Sequence, residues 1–307
     1  MIPCLPSPLI IVCRWRVFLC LLALWHCPAA RADAPIKVLI IDGFSNHDWR
    51  TTTRRIQDLL ASAGGFAVTV STSPAAAAAA SDWEAWQPGI AGQDVVLLNC
   101  NDLGKPVDWP ARVRGAIENH VRGGGGLYVF HSANNAFAAW PEYNRMIGLG
   151  WRDKNFGPAL VVREDGVIER IPPGSGDNTS HGERVDALIR RHGDHPIHRG
   201  LPRQWRAADV EIYTYARGPA ENLEVLSYST DNAKHLGFPT EWVVSYGKGR
   251  VYNATFGHLW AGMDNPPGFR CAGFQTIFVR AMYWLAGRPV PAAVPEDFPG
   301  SGQPVRR

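Results

Sequence analysis

Lys37-Val38-Leu39-Ile40-Ile41-Asp42-Gly43 is the stretch on which the fold turns. Its apolar run shows no alternation with polar residues. A strand with one wet face alternates, whereas a strand covered on both faces reads as a continuous apolar run. The run is therefore read as a central strand of a parallel sheet that stops at Asp42-Gly43. Moving outward, residues 51–63 carry Ile56, Leu59 and Leu60 at helical spacing and close on Gly64-Gly65. Residues 66–70 read as a second strand, and Pro74 with the alanines at 75–80 as a connector or short helix. Residues 94–98 (DVVLL) read as a third buried strand. A helix over 109–121 follows, with Val113, Ile117 and Val121 on one face. Gly123 to Gly126 form a tight turn into a fourth strand, 127–130 (LYVF), which ends at His131. Strand and helix thus alternate repeatedly, which predicts an α/β fold with a doubly wound parallel sheet and right-handed crossovers.

The pattern changes between residues 151 and 240. Short strand-like runs, 159–162 and 211–215, stand among Gly, Pro and Asp, and read as a β-rich elaboration of the same domain. A strand over 251–256 and an amphipathic helix over 274–285 close the domain, set at 33–288. Residues 289–307 form a Pro-rich tail with little reason to fold.

The 307 residues carry 31 Lys+Arg against 28 Asp+Glu. The excess sits in residues 1–32, which hold Arg14, Arg16 and Arg31 and no acid. The rest is neutral, so no global field draws it to nucleic acid or anionic lipid. Residues 1–32 read as an export signal: Arg14 and Arg16, a short apolar run (VFLCLLALW), then Ala30-Arg31-Ala32 as the cleavage site. The run is too short to span a bilayer. The expected mature chain is periplasmic or secreted, without stable membrane association. It keeps Cys100 and Cys271, either bonded to each other or packed as free thiols.

Ligands of open parallel sheets bind at the carboxyl ends of the strands. The strands deliver there Asp42 and His47; Asn99, Cys100, Asn101 and Asp102; His131, Asn134 and Asn135; and His258 with Trp260. Three imidazoles are expected to converge there. Glu211 opens the run EIYTY, where a carboxylate can orient an imidazole or act as a base. The run His192-x2-His195-x2-His198 has metal-like spacing, but Gly193 and Pro196 disfavour a regular helix, and His195-Pro196-Ile197 is read as a turn. Ser132 lacks a G-x-S-x-G elbow, and no nucleotide-binding glycine motif follows a strand.

Four segments in order resemble the ThuA-like (trehalose utilisation) proteins: Gly123 to Ala133 (GGGGLYVFHSA), His195 to Pro202 (HPIHRGLP), Asp209 to Tyr213 (DVEIY) and Gly247 to His258 (GKGRVYNATFGH). The resemblance spans about residues 37–287. It implies the flavodoxin-like sheet of class I glutamine amidotransferases. Those enzymes carry a Cys at the elbow where His131 stands here, and their late His matches His258. Trp260 stands where their acid would be, so glutaminase activity is not expected. The family is linked to disaccharide and keto-sugar catabolism.

The resulting expectation is an exported protein modifying a small-molecule carbohydrate, as an isomerase, lyase or hydrolase of (keto-)glycosides. His131, His258 and Glu211 form the acid–base set, and Asp42, His47, Asn134, Asn135, Tyr213 and Trp260 bind substrate. No cofactor and no metal is assigned. A divalent metal at a His cluster, as in a metal-dependent hydrolase, and a non-catalytic periplasmic sugar-binding protein are the alternatives. A homo-oligomer is left open.

Overall fold

A computed structural model describes Met1 and residues 34–307. The expected export signal therefore lies outside the described residues. Strand β1 (Ile36–Asp42) is followed by helix α1 (Trp49–Ala63), β2 (Phe66–Thr72), α2 (Ala80–Ala85), β3 (Val95–Leu98), α3 (Ala111–Arg122), β4 (Gly126–Phe130) and α4 (Pro141–Ile147). Then come β5 (Ala159–Val162), β6 (Ile168–Ile171), β7 (Val185–Arg191), β8 (Gln204–Val210), β9 (Leu223–Asp231), β10 (Leu236–Tyr246) and β11 (Gly249–Ala254). Helices α5 (Pro267–Arg270) and α6 (Ala272–Leu285) end the order. The strands build one mixed sheet, ordered β2-β1-β3-β4-β11-β10-β9-β7-β8, with β5 and β6 branching from β10. From β2 to β11 every neighbour is parallel, and from β11 to β8 every neighbour is antiparallel.

The lack of alternation in β1 has a direct cause. Val38 and Ile40 pack with Ile56 and Leu60 of α1 in one core. Leu39 and Ile41 face the opposite core, with Val113, Ile117 and Val121 of α3. Helices cover both faces, so every position from Val38 to Asp42 is buried and only Lys37, near the start of the strand, meets water. Asp48 starts α1 by accepting from the Thr51 amide at 3.0 Å.

Two expectations are corrected, and the alternative left open for the cysteines is decided. Residues 211–215 do not form a strand. β8 ends at Val210 after Asp209 takes φ +55°, and Glu211 follows in irregular backbone. The tail forms no helix or long strand, yet it is packed. The Val305 carbonyl accepts from the Ala272 amide, and Arg306 pairs with Asp186 at 2.9 Å. Arg280, 2% exposed, donates to the Ala292 and Ala293 carbonyls. Main-chain oxygens of the tail thus serve as acceptors for a buried arginine. Finally, Cys100 and Cys271 are both buried and free. They belong to different cores, one on each side of the sheet, so the disulfide is excluded.

Candidate active site

His131, His258 and His47 meet at the carboxyl ends of the parallel strands. His131 is the first residue after β4 and opens a 3-10 turn, His131–Asn135, at φ +43°. A non-glycine residue in that region stores strain that the surrounding packing must hold. His258 follows β11 across Gly257, whose φ is +94°. A Cβ at Gly257 would stand 2.4 Å from Cζ of Phe130, so only glycine lets the chain pass that ring. His47 lies in the loop between β1 and α1. The Asp48 amide donates to the Leu259 carbonyl at 3.1 Å and clamps this loop to the one bearing His258. The ring centroids are 5.1 Å apart for His47–His131, 4.9 Å for His47–His258 and 5.2 Å for His131–His258.

Glu211 approaches from the end of β8. Its Oε1 lies 2.7 Å from His258 Nδ1, and its Oε2 lies 3.5 Å from His131 Nε2. His131 Nε2 is also 3.2 Å from His258 Nδ1. Tyr213, fully buried, hydrogen-bonds Glu211 and Asn135 through its hydroxyl. Trp260 stacks on His47 at 4.3 Å with 5° between planes, and is 42% exposed. His131, His258 and Glu211 are buried beneath it.

Each imidazole gives its Nδ1 to an oxygen. For His258 it is Glu211 Oε1; for His131 it is the Thr255 carbonyl at 2.9 Å; for His47 it is Asn46 Oδ1 at 2.8 Å. Asn46 Oδ1 is itself held by Asn101 Nδ2 at 2.6 Å. An oxygen acceptor fixes the proton on Nδ1 and leaves the lone pair on Nε2. Nε2 of His47 and Nε2 of His258 are buried without a partner.

Burial disfavours the imidazolium. It lowers His131 to about 4, against the pull of Glu211. It lowers His47 to about 2, helped by repulsion from His131 and His258. Burial alone would raise Glu211, but the His258 hydrogen bond and the neighbouring imidazoles outweigh it and bring the carboxyl to about 2. Near neutral pH Glu211 is thus a carboxylate, and His47 and His131 are neutral.

Two expected residues stand apart. Asp42 touches none of the imidazoles among the described residues. Its oxygens accept from Thr53 at 2.6 Å and Thr72 at 2.7 Å, and burial raises its pKa. It ties α1 and β2 to β1. Asn134 is fully buried with both side-chain atoms unpartnered, while Asn135 reaches the group through Tyr213. The histidine run at 192–198 does not gather. The His195 ring accepts from the Ile197 amide, closing the expected turn, and His198 pairs with buried Glu241 at 3.2 Å.

Sequence reasoning missed His181. Its Nε2 is 3.6 Å from Glu211 Oε1, and its ring meets Trp151 edge-on at 5.6 Å and stacks on Tyr213 at 6.2 Å. It sits between Ser180 and Gly182 in irregular chain, where no periodicity marks it. The supporting acceptors Asn46 and the Thr255 carbonyl were equally unmarked. A cleft of about 430 Å³, lined by Asp48, Thr51, Arg54 and Met263, adjoins the loop bearing His47, and none of the three imidazoles lines it. Met263 carries the sulfur that accepts from the Trp260 amide at 3.3 Å.

The ThuA family model, described as trehalose utilisation, matches residues 37–285. A ThuA-like protein from Parabacteroides merdae is 30% identical, with 89% of this chain and 98% of that chain covered and a TM-score of 0.81. A β-galactosidase from Rahnella sp. R3 is 16% identical, covering 88% of this chain and 34% of that one, at a TM-score of 0.45. No curated protein matches.

Proposed function

This chain belongs to the ThuA, trehalose-utilisation family, and we propose that it is an exported enzyme that modifies a disaccharide or keto-sugar by proton transfer at the His131–His258–Glu211 group. We read its parallel half, ordered β2-β1-β3-β4-β11, as a flavodoxin-like doubly wound core. The observation that carries the functional reading is the contact of Glu211 Oε1 with His258 Nδ1 at 2.7 Å, beside His131. Residues separated by 127 positions in the chain meet there.

A carboxylate on Nδ1 orients an imidazole and raises the basicity of its Nε2. A ring ketone acidifies the neighbouring C–H. An imidazole takes that proton and the C–H electron pair moves onto the carbonyl oxygen. The imidazolium then returns the proton to a neighbouring carbon, or to a departing glycosidic oxygen as the enolate collapses. Glu211 stabilises the transient positive charge. Trp260, half-exposed and flat on His47, offers a ring face to the sugar. Tyr213 holds the carboxylate, and Asn135 holds Tyr213.

The test is incubation of the protein with a panel of disaccharides and 3-keto-disaccharides in D2O, with products followed by NMR. Turnover, or deuterium incorporation next to the keto group, is expected. It should fall at least 100-fold in His258→Gln and in His131→Gln. Activity unchanged in the double variant rejects the assignment. Sugar binding in calorimetry without turnover would instead favour a binding protein.

A further inference from the structure

We propose that His47, His131 and His258 together hold one divalent transition-metal ion of the zinc type through their Nε2 atoms. The inference rests on the site just described and deepens its chemistry. One ring nitrogen from each of the three residues lies within 4.8 Å of the others, and no other such group occurs among the described residues. Around a tetrahedral zinc at 2.0–2.1 Å, ligand nitrogens stand roughly 3.3 Å apart, so small ring shifts close the set.

Two independent features point to an ion rather than to chance packing. First, the Nδ1 atoms are all spent on oxygens: a carboxylate, a backbone carbonyl and a side-chain amide. That is the outer arrangement by which metal-binding imidazoles are oriented and made better donors. Second, Nε2 of His258 belongs to a residue that is fully buried, and it has no partner; Nε2 of His47 is also without one. Buried unpaired nitrogens are costly, and a cation would satisfy both at once. The donor set is three imidazoles with no thiolate, since Cys100 and Cys271 lie in the cores. Such a set suits Zn²⁺, Co²⁺ or Ni²⁺ and leaves a coordination position open. That position can take a water, or the carbonyl or hydroxyl oxygen of a sugar. With the ion seated, the Nε2 atoms would be its ligands, and the base of the proposed reaction would be a metal-bound water, a role that the same histidine substitutions would remove. Glu211 remains a positioning residue on His258.

The experiment titrates dialysed, chelator-treated full-length protein with CoCl2 and with ZnCl2, with no sugar present. It reads visible Co²⁺ absorption and calorimetric stoichiometry. One ion per chain with a dissociation constant below 10 μM is expected, together with the visible bands of a four- or five-coordinate Co²⁺. His47→Gln and His258→Gln should each weaken binding at least 100-fold while circular dichroism stays unchanged. Glu211→Gln, which leaves all ligands in place, should weaken it about 10-fold or more. No binding up to 1 mM overturns the proposal, and so does binding that survives His47→Gln/His258→Gln, which would place the ion elsewhere. The two readings part cleanly. Metal bound without sugar turnover overturns the sugar assignment alone; sugar turnover with no ion bound in the titration overturns the metal site alone.

Discussion

Gly257 shows how much of the site hangs on one missing side chain. At φ +94°, with Phe130 at 2.4 Å from a notional Cβ, the position has no room for alanine. Gly257→Ala combines left-handed strain with displacement of a buried ring. It should cost about 2–4 kcal/mol in urea unfolding. It should also disturb His258 next door, so that activity falls more than the folded fraction does. Single residues were unequally legible. His131 and His258 announced themselves by following apolar runs, and the chain geometry there is set by local sequence. Asp42 stood in the same kind of place but is spent on Thr53 and Thr72. Strand-end position alone does not say which neighbour a carboxylate will meet. His181 could not be found at all, because its place beside Glu211 depends on how β6, β7 and the loop between them fold back.

At the level of elements, the parallel strands and their helices were readable because burial on both faces imposes a distinctive pattern. The antiparallel half was less so. β10 is buried along most of its length and carries Glu241 inside the sheet, where His198, Ser227 and Tyr252 surround it. Nothing in its local pattern says that a charge will be paired there. Burial would raise the Glu241 carboxyl, yet His198 and the hydroxyl donors lower it. Glu241→Leu should therefore destabilise the protein by about 3–5 kcal/mol, because it leaves His198, Ser227 and Tyr252 buried without their shared acceptor. Thermal melting of Glu241→Leu beside Glu241→Leu/His198→Leu checks this: the double variant should recover part of the loss. The C-terminal stretch is a second case. Composition marked it as unlikely to order, since a Pro-rich segment forms neither helix nor ladder. Arginines 206, 280 and 306 hold it through its carbonyls and through Asp186. Truncation after Pro289 should lower the melting temperature by several degrees and leave the imidazole group intact, as read by Co²⁺ absorption.

Across the whole molecule, several histidines are buried neutral, and this dictates the response to acid. His47, His131 and His195 are lowered from the usual value of about 6.5 to about 2, 4 and 4, in each case first by burial. A depressed folded-state value means that the unfolded chain binds protons first. The stability from these groups is complete above pH 6.5 and is lost as pH falls toward 4. With three such groups, unfolding takes up about three protons near pH 5, a slope on the order of 4 kcal/mol per pH unit. Urea midpoints measured from pH 7.5 to 4.5 on metal-free protein should fall steeply, and His195→Asn, which keeps an acceptor for the Ile197 amide, should flatten the curve.

The placement of Cys100 and Cys271 on opposite sides of the sheet carries a practical corollary. The sheet is a wall that neither sulfur can cross, so these two thiols make no covalent demand on their surroundings. Dithiothreitol should leave the melting curve of residues 34–307 unmoved, and chains made in a reducing or an oxidising host should reach the same fold with both sulfurs recoverable as thiols after denaturation.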